Sequence, residues 1–353
     1  MLGIELTPEH PAETLVDLGV TAEAAGYDTV FVSHHYNNRD ATAVLTRLAT
    51  ETETVRLGPG VANPFESHPV TLASEIATLD ELSDGRAVFG LGPGDPSTLR
   101  NLGLEDERGL RPVLEAFETA RELWAGERVS AGARADGGGG GDGGDGGGDK
   151  KASRTTFDAV DAGLNYEPPQ GDSIPVYVGG EGPHMCRMAG KRADGLLFNG
   201  SHPDGLAWAR DRVSEGIEQA DGKTAADFDL AAYASVSVAH DGAAAREAAR
   251  PPVAFVTAGS PPPVLDRHGI DHDRAAEIGE KITAGAFSEA FDLVTPAMLD
   301  AFCIAGTPET VRERMAAVLE HADSLVVGSP LGPELETAVE LAAEAVPETL
   351  REK

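Results

Sequence analysis

Short β-branched apolar runs alternate along this chain with longer stretches of helical period. Among sequence patterns this one leaves the fewest folds open, because it is the signature of repeated strand–helix units and a parallel sheet. Eight runs read as strands, at residues 2–6, 29–33, 55–60, 86–91, 176–178, 195–198, 230–238 and 324–327. The intervening helical stretches include 11–25, 69–83, 110–125, 204–220 and, last, 335–345. Eight such units predict a closed (β/α)8 TIM barrel, with its active site in the loops at the C-terminal strand ends. A doubly wound open sheet is the alternative, but the Gly-x-Gly-x-x-Gly turn expected after its first strand is missing. Residues 241–302, between strands seven and eight, are too many for one helix and predict extra helices over the barrel mouth. The whole of 1–353 reads as a single domain.

One segment stands apart. Residues 135–151 read ADGGGGGDGGDGGGDKK, with nothing able to enter a core, and predict a disordered surface insertion without chemistry. Replacing 136–149 by a short Gly-Ser link is therefore expected to leave activity within a factor of about two, measured as steady-state turnover. Loss of turnover in a folded deletion variant would refute this.

The charge balance excludes several function classes. With 28 basic and 59 acidic residues the formal charge is −31, a field that repels nucleic acid and anionic membranes. No apolar run approaches the roughly 20 residues that span a bilayer, and no export signal opens the chain, so a cytoplasmic protein is expected. The basic residues are 6 lysines and 22 arginines, and the acids are spread along the chain, as in proteins that fold in molar salt. Cys186 and Cys303 have no Cys-x-x-Cys partner, so reduced, buried thiols are expected in place of a metal or disulfide framework.

The strand ends hold the candidate site. Glu5 lies within the first strand, where desolvation would raise its pKa and let it serve as a general acid; a structural glutamate paired with an arginine is the alternative. The second strand runs into Ser33-His34-His35-Tyr36-Asn37-Asn38, a ligand-shell composition. A metal is not expected there, because adjacent residues on an extended chain face opposite ways and no acidic ligand follows at the right spacing. Gly58-Pro59-Gly60-Val61-Ala62-Asn63-Pro64 implies a bulge or an unusual peptide bond. Gly90-Leu91-Gly92-Pro93-Gly94-Asp95 would let a flat ligand approach the backbone. Gly179-Gly180-Glu181-Gly182-Pro183, leading into a helix, offers amide donors to an anion. Asn199 ends the sixth strand with an amide suited to a heteroaromatic edge.

Together, Gly3-Ile4-Glu5, His35-Tyr36-Asn37-Asn38, Leu57-Gly58-Pro59-Gly60-Val61, Asn63-Pro64, Thr78-Leu79-Asp80-Glu81-Leu82-Ser83-Asp84-Gly85-Arg86, Gly92-Pro93-Gly94-Asp95, Gly259-Ser260-Pro261-Pro262-Pro263-Val264 and Gly328-Ser329-Pro330 resemble one family. It is the coenzyme F420-dependent methylenetetrahydromethanopterin reductases, within the bacterial luciferase-like barrels. The resemblance implies hydride transfer from reduced coenzyme F420, an 8-hydroxy-5-deazaflavin that binds and leaves, to a methylene-pterin, without metal, in a homo-oligomer. By position, Gly60 and Val61 match a non-prolyl cis bond behind the deazaflavin ring. His35, Asn63 and Asp95 match polar coenzyme contacts, Gly179, Gly180 and Gly182 the phosphate turn, and Glu5 the carboxylate that assists at the pterin. His34 and Glu181 depart from the pattern, where Asp and a neutral residue are usual. The salt-adapted composition leaves tetrahydrofolate as open as tetrahydromethanopterin. An FMN- or F420-dependent monooxygenase or dehydrogenase, and a non-catalytic flavin-binding protein, are the other functions the fold would allow.

Overall fold

The computed structural model describes residues 1–104, 109–132 and 156–351, so the glycine-rich 135–151 lies outside the described residues. Strands β1 (Leu2–Leu6), β2 (Thr29–Val32), β3 (Arg56–Pro59) and β4 (Phe89–Leu91) form the first half of the barrel. A hairpin of β5 (Val129–Ala131) and β6 (Ala159–Ala162), which sequence patterning does not reveal, precedes β7 (Val176–Gly179). Strands β8 (Gly195–Asn199), β9 (Asp229–Val238), the short β10 (Ile304–Gly306) and β11 (Ser324–Leu331) follow. All pairings outside the hairpin are parallel, in the order β3-β2-β1-β11-β9-β8-β7-β4, with β10 beside β9. Bridges Leu57–Ala87 and Ala62–Leu91 join the outer strands β3 and β4, closing the predicted barrel.

The helices between strands are α1 (Ala12–Ala24), α2 (Ala41–Glu51), α3 (Pro69–Leu82), α4 (Pro96–Asn101), α5 (Leu110–Trp124), α6 (Pro183–Arg192) and α7 (Pro203–Ile217). The predicted extra helices are α8 (Gly242–Ala248), α9 (Arg250–Gly259), α10 (Pro262–Arg267), α11 (His272–Thr283), α12 (Phe287–Asp292) and α13 (Pro296–Phe302). Three more, α14 (Pro308–Leu319), α15 (Leu335–Ala345) and α16 (Glu348–Arg351), complete the chain. Proline at the first turn of α3, α6, α7 and α14 costs no hydrogen bond, since that N–H has no partner within a helix.

Period-two alternation sorts the strand side chains into two cores. Phe31, Val88, Tyr177, Leu197, Ala231 and Val326 come from different staves yet touch one another, so they fill the barrel's interior. Ile4, Val30, Leu57, Phe89, Val178 and Leu196 belong to the larger core under the helices. The extra helices hold a third core around Val253, Ile278, Met298 and Phe302.

The Thr78–Arg86 motif is structural. Buried Asp80 accepts hydrogen bonds from the Gln170 backbone (2.8 Å), its side chain (2.7 Å) and Ala87 N (3.2 Å). Arg86 donates to the carbonyls of Ala49, Thr52, Val55 and Ser83, tying the end of α2 to the start of β3 and β4. These groups sit at the N-terminal strand ends, the face of such barrels that serves stability.

Candidate active site

Glu5 stands one residue before the end of β1, between two strands whose backbones crowd it. The Ser329 N–H donates to Glu5 Oε2 at 3.3 Å, and a Cβ on Gly328 would lie 2.9 Å from that oxygen. The Ser33 hydroxyl, at the end of β2, approaches the same carboxyl, and so does the hydroxyl of Tyr233 from β9. Burial outweighs these donors and pushes the carboxyl up to about 7. The arginine partner that the sequence left open is absent among the described residues, and the carboxyl can hold a proton near neutral pH.

Tyr233 was not anticipated. Within β9 it reads as one more strand aromatic, and only the barrel's closure brings it to β1 and β3. Its hydroxyl donates to the Gly60 carbonyl at 3.3 Å, and burial together with Glu5 raises its own pKa well above the usual phenol range. A phenol has one proton and here two acceptors. When Glu5 is ionised the proton serves the carboxylate; when Glu5 is protonated, the acid can donate to the phenol oxygen while the phenol donates to Gly60. Tyr233→Phe removes a group that holds the Glu5 pKa down, so the alkaline limb of the pH–rate profile is expected to move upward. Turnover should fall by about tenfold, the worth of one hydrogen bond near a charged group. An unshifted limb would show that Tyr233 does not act on Glu5.

The β3 end is a one-residue bulge. From Leu57 to Ala62 is five steps, whereas their bridge partners Ala87 and Leu91 are four apart. The extra residue falls at the Gly60–Val61 peptide, which is cis, as the resemblance implied. Val61 is left partly exposed at the top of the interior core, with its side chain against glycines of neighbouring strands. A Cβ on Gly92 would lie 2.6 Å from Val61 Cγ2, and one on Gly179 3.0 Å from Val61 Cγ1. On Gly90 it would come within 1.9 Å of the Pro59 carbonyl oxygen. This corrects the sequence reading of Gly90 and Gly92: protein fills the space beside them, and they are small so that β3 and β4 can meet around the bulge. Only Gly94, at φ 71°, serves a turn, packed against Asn63.

The remaining predicted residues line the rim. Asn63 is 1% exposed, and its side chain ties its own loop: Oδ1 accepts from Phe65 N and Glu66 N, and Nδ2 donates to Glu66 at 2.8 Å. Asp95 caps α4 through Thr98 N at 3.2 Å. Burial lowers the pKa of half-buried His35, with Asp95 and Glu66 opposing, so its ring is neutral at pH 7. Asn199 Nδ2 donates to Glu181 Oε1 at 2.9 Å, and the enclosing rim raises the Glu181 pKa despite that bond. Gly180 lies against Met185, while Gly182 has open space around it and begins α6 without a side-chain cap. His34 Nδ1 is buried without a hydrogen-bond partner among the described residues.

These contacts gather the predicted residues at one end of the barrel: a protonatable carboxyl, an apolar valine shelf beside it, and a polar rim with an unsatisfied donor or acceptor. Among the described residues no cluster of three or more His, Cys, Asp or Glu side chains could hold a metal, and no helix is long and apolar enough to cross a membrane. Cys186 and Cys303 are free and buried, their thiols pushed up to about 12 by desolvation.

The luciferase-like monooxygenase family model matches residues 2–323. The 5,10-methylenetetrahydromethanopterin reductase of Archaeoglobus fulgidus is 38% identical, with 96% of each chain aligned. That of Methanopyrus kandleri is 37% identical over 98% of this chain and 97% of its own. The solved structure of the coenzyme F420-dependent tetrahydromethanopterin reductase from Methanopyrus kandleri superposes with a TM-score of 0.87 at 35% identity, covering 99% of both chains. An F420-dependent secondary alcohol dehydrogenase, at 19% identity and a TM-score of 0.74, shares the fold. The chain belongs to the luciferase-like barrel family and, within it, to the 5,10-methylenetetrahydromethanopterin reductases.

Proposed function

We propose that this protein transfers a hydride from reduced coenzyme F420 to the methylene carbon of a methylene-tetrahydropterin, giving the methyl-pterin. The observation that carries the reading is Glu5: a carboxyl held near neutrality by burial, beside the shelf at Val61. Reduced F420 supplies the hydride. The methylene carbon of the pterin, bridged between two nitrogens, accepts it poorly until one nitrogen is protonated and the five-membered ring opens to an iminium. Protonated Glu5 donates that proton, Ser329 N–H and Tyr233 stabilise the carboxylate left behind, and Val61 sets the height of the ring opposite. His35, Asp95 and Asn199 form the polar rim, Asn63 braces its own loop from within, and Gly179, Gly180 and Gly182 form the turn into α6, whose uncapped N-terminus would meet a phosphate, although Gly180 N–H is already bonded to the Leu197 carbonyl. Holding both reactants face to face supplies much of the remaining acceleration.

We read the protein as a cytoplasmic homo-oligomer in a salt-rich cell, on its acidic, lysine-poor composition and its family. Either tetrahydromethanopterin or tetrahydrofolate would serve as carrier. An anaerobic assay in molar potassium chloride, with reduced F420 and each methylene-pterin in turn, tests the function and names the carrier. Oxidation of F420 that depends on one of them is the expected result. No turnover with either, together with FMN retained through purification, would instead support a flavin-dependent relative.

A further inference from the structure

The Gly259-Ser260-Pro261-Pro262-Pro263-Val264 stretch takes no part in proton transfer, yet it builds a wall. It turns the chain from α9 into α10 and sets Ser260, Arg267 and His268 opposite Ser201 and His202, which follow β8. A crevice of about 50 Å³ separates the two sides, with Glu181 and Asn199 from the barrel rim also among its lining residues.

The outer wall is unusually basic for a chain with 59 acids and 28 bases. Arg267 rests its guanidinium 4.7 Å from the Trp208 ring centroid and makes no hydrogen bond or ion pair among the described residues. The His268 ring meets the His202 ring edge-on at 5.0 Å and Phe302 at 5.6 Å, so it too is held in place by packing. Burial, then the neighbouring His202 and Arg267, depress the His268 pKa, with Asp204 opposing. Two acids stand nearby. Asp204 Oδ2 lies 3.6 Å from His202 Nδ1, and Glu181 accepts from Asn199. The first free amide of α7, Asp204 N, is already bonded to His202 Nδ1 at 3.2 Å. Any anion bound here is therefore met by side chains and not by a helix end.

We infer that this crevice binds an oxyanion, the phosphate or carboxylate at the far end of an elongated ligand whose ring lies at Glu5 and Val61. A guanidinium fixed on an aromatic face, with its N–H edge unpaired, is suited to such a group. Which reactant carries it rests on the function proposed above; the oxyanion site itself does not.

The protein has two tryptophans, of which Trp124 is 1% exposed, so fluorescence changes on adding an ion report on Trp208 under Arg267. Inorganic pyrophosphate, titrated at constant ionic strength, is expected to give a saturable change whose midpoint rises about tenfold in Arg267→Ala and recovers in part in Arg267→Lys. F420 is then compared with its phosphate-free ribityl deazaflavin, and each methylene-pterin with a form lacking its acidic arm. About tenfold weaker binding by Arg267→Ala of the acid-bearing form only, for one of the two reactants, assigns the site to that reactant. The inference is overturned if wild-type protein gives no saturable signal, or if the signal survives unchanged in a folded Arg267→Ala variant. A wild-type protein that binds pyrophosphate through Arg267 yet reduces neither pterin defeats the functional reading and leaves the site standing.

Discussion

Glu5→Gln is expected to lower turnover by about 10²–10⁴ while F420 affinity changes little. Glutamine keeps the shape and can still accept from Ser329 N–H, but it has no proton to give. The pH dependence gives a second readout. Wild-type turnover should fall as pH rises through about 7, where the carboxyl ionises, and the residual activity of the variant should lack that limb. Stability follows the same direction with pH. The folded-state pKa lies above the ordinary 4.5, so between about 4.5 and 7 the folded protein keeps a proton that the unfolded chain has released. Wild-type stability therefore declines through that window from this group, and the variant, free of the penalty, should be at least as stable at pH 8. Near wild-type turnover would make Glu5 structural; collapse of F420 affinity would assign it to the wrong reactant.

The largest stability effect is expected at Gly90→Ala. Its Cβ would lie 1.9 Å from the Pro59 carbonyl oxygen, a backbone atom in the neighbouring strand that cannot swing aside. Either β3 and β4 separate or the bulge shifts, and both act on Val61, which the same Cβ would meet at 3.3 Å. A loss of about 3 kcal/mol in denaturant unfolding is expected, at the upper end for overpacking a well-filled site. Gly182→Ala is the control: nothing lies within 4 Å of its Cβ, and the change should stay below about 1 kcal/mol. Equal effects at the two positions would mean that the seam between β3 and β4 yields more easily than its geometry indicates.

The barrel was legible in the sequence because strands buried on both faces read as compact apolar runs, and each of the eight was found within a few residues. β4 was read three residues too long at its start: Arg86 is extended but is engaged by carbonyls below the sheet, and regular pairing begins at Phe89. The β5–β6 hairpin and β10 went unseen because Val129-Ser130-Ala131, Ala159-Val160-Asp161-Ala162 and Ile304-Ala305-Gly306 each hold only one large apolar residue and do not read as apolar runs. At the site, Glu5 was legible as a charge inside an apolar strand. Tyr233 was not, since its significance lies in a contact with Gly60, 173 positions away. The glycines of β4 were legible as special, but what they make room for is a side chain of another strand, which no local pattern encodes.

The pairing of β1 with β11 bears on how the protein is made. Leu2, Gly3 and Ile4 pair with Leu325, Val326 and Val327, so the earliest-made of these barrel strands must wait for the latest. Until then β1 and β9 both present open edges, which a second nascent chain could join. Glu5 meets Ser329 only at the same late moment, so a barrel lacking its final stave would hold an ordinary, solvated glutamate. The acid acquires its altered proton affinity with closure itself, and newly made chains should become active only after β11 has been made and has docked.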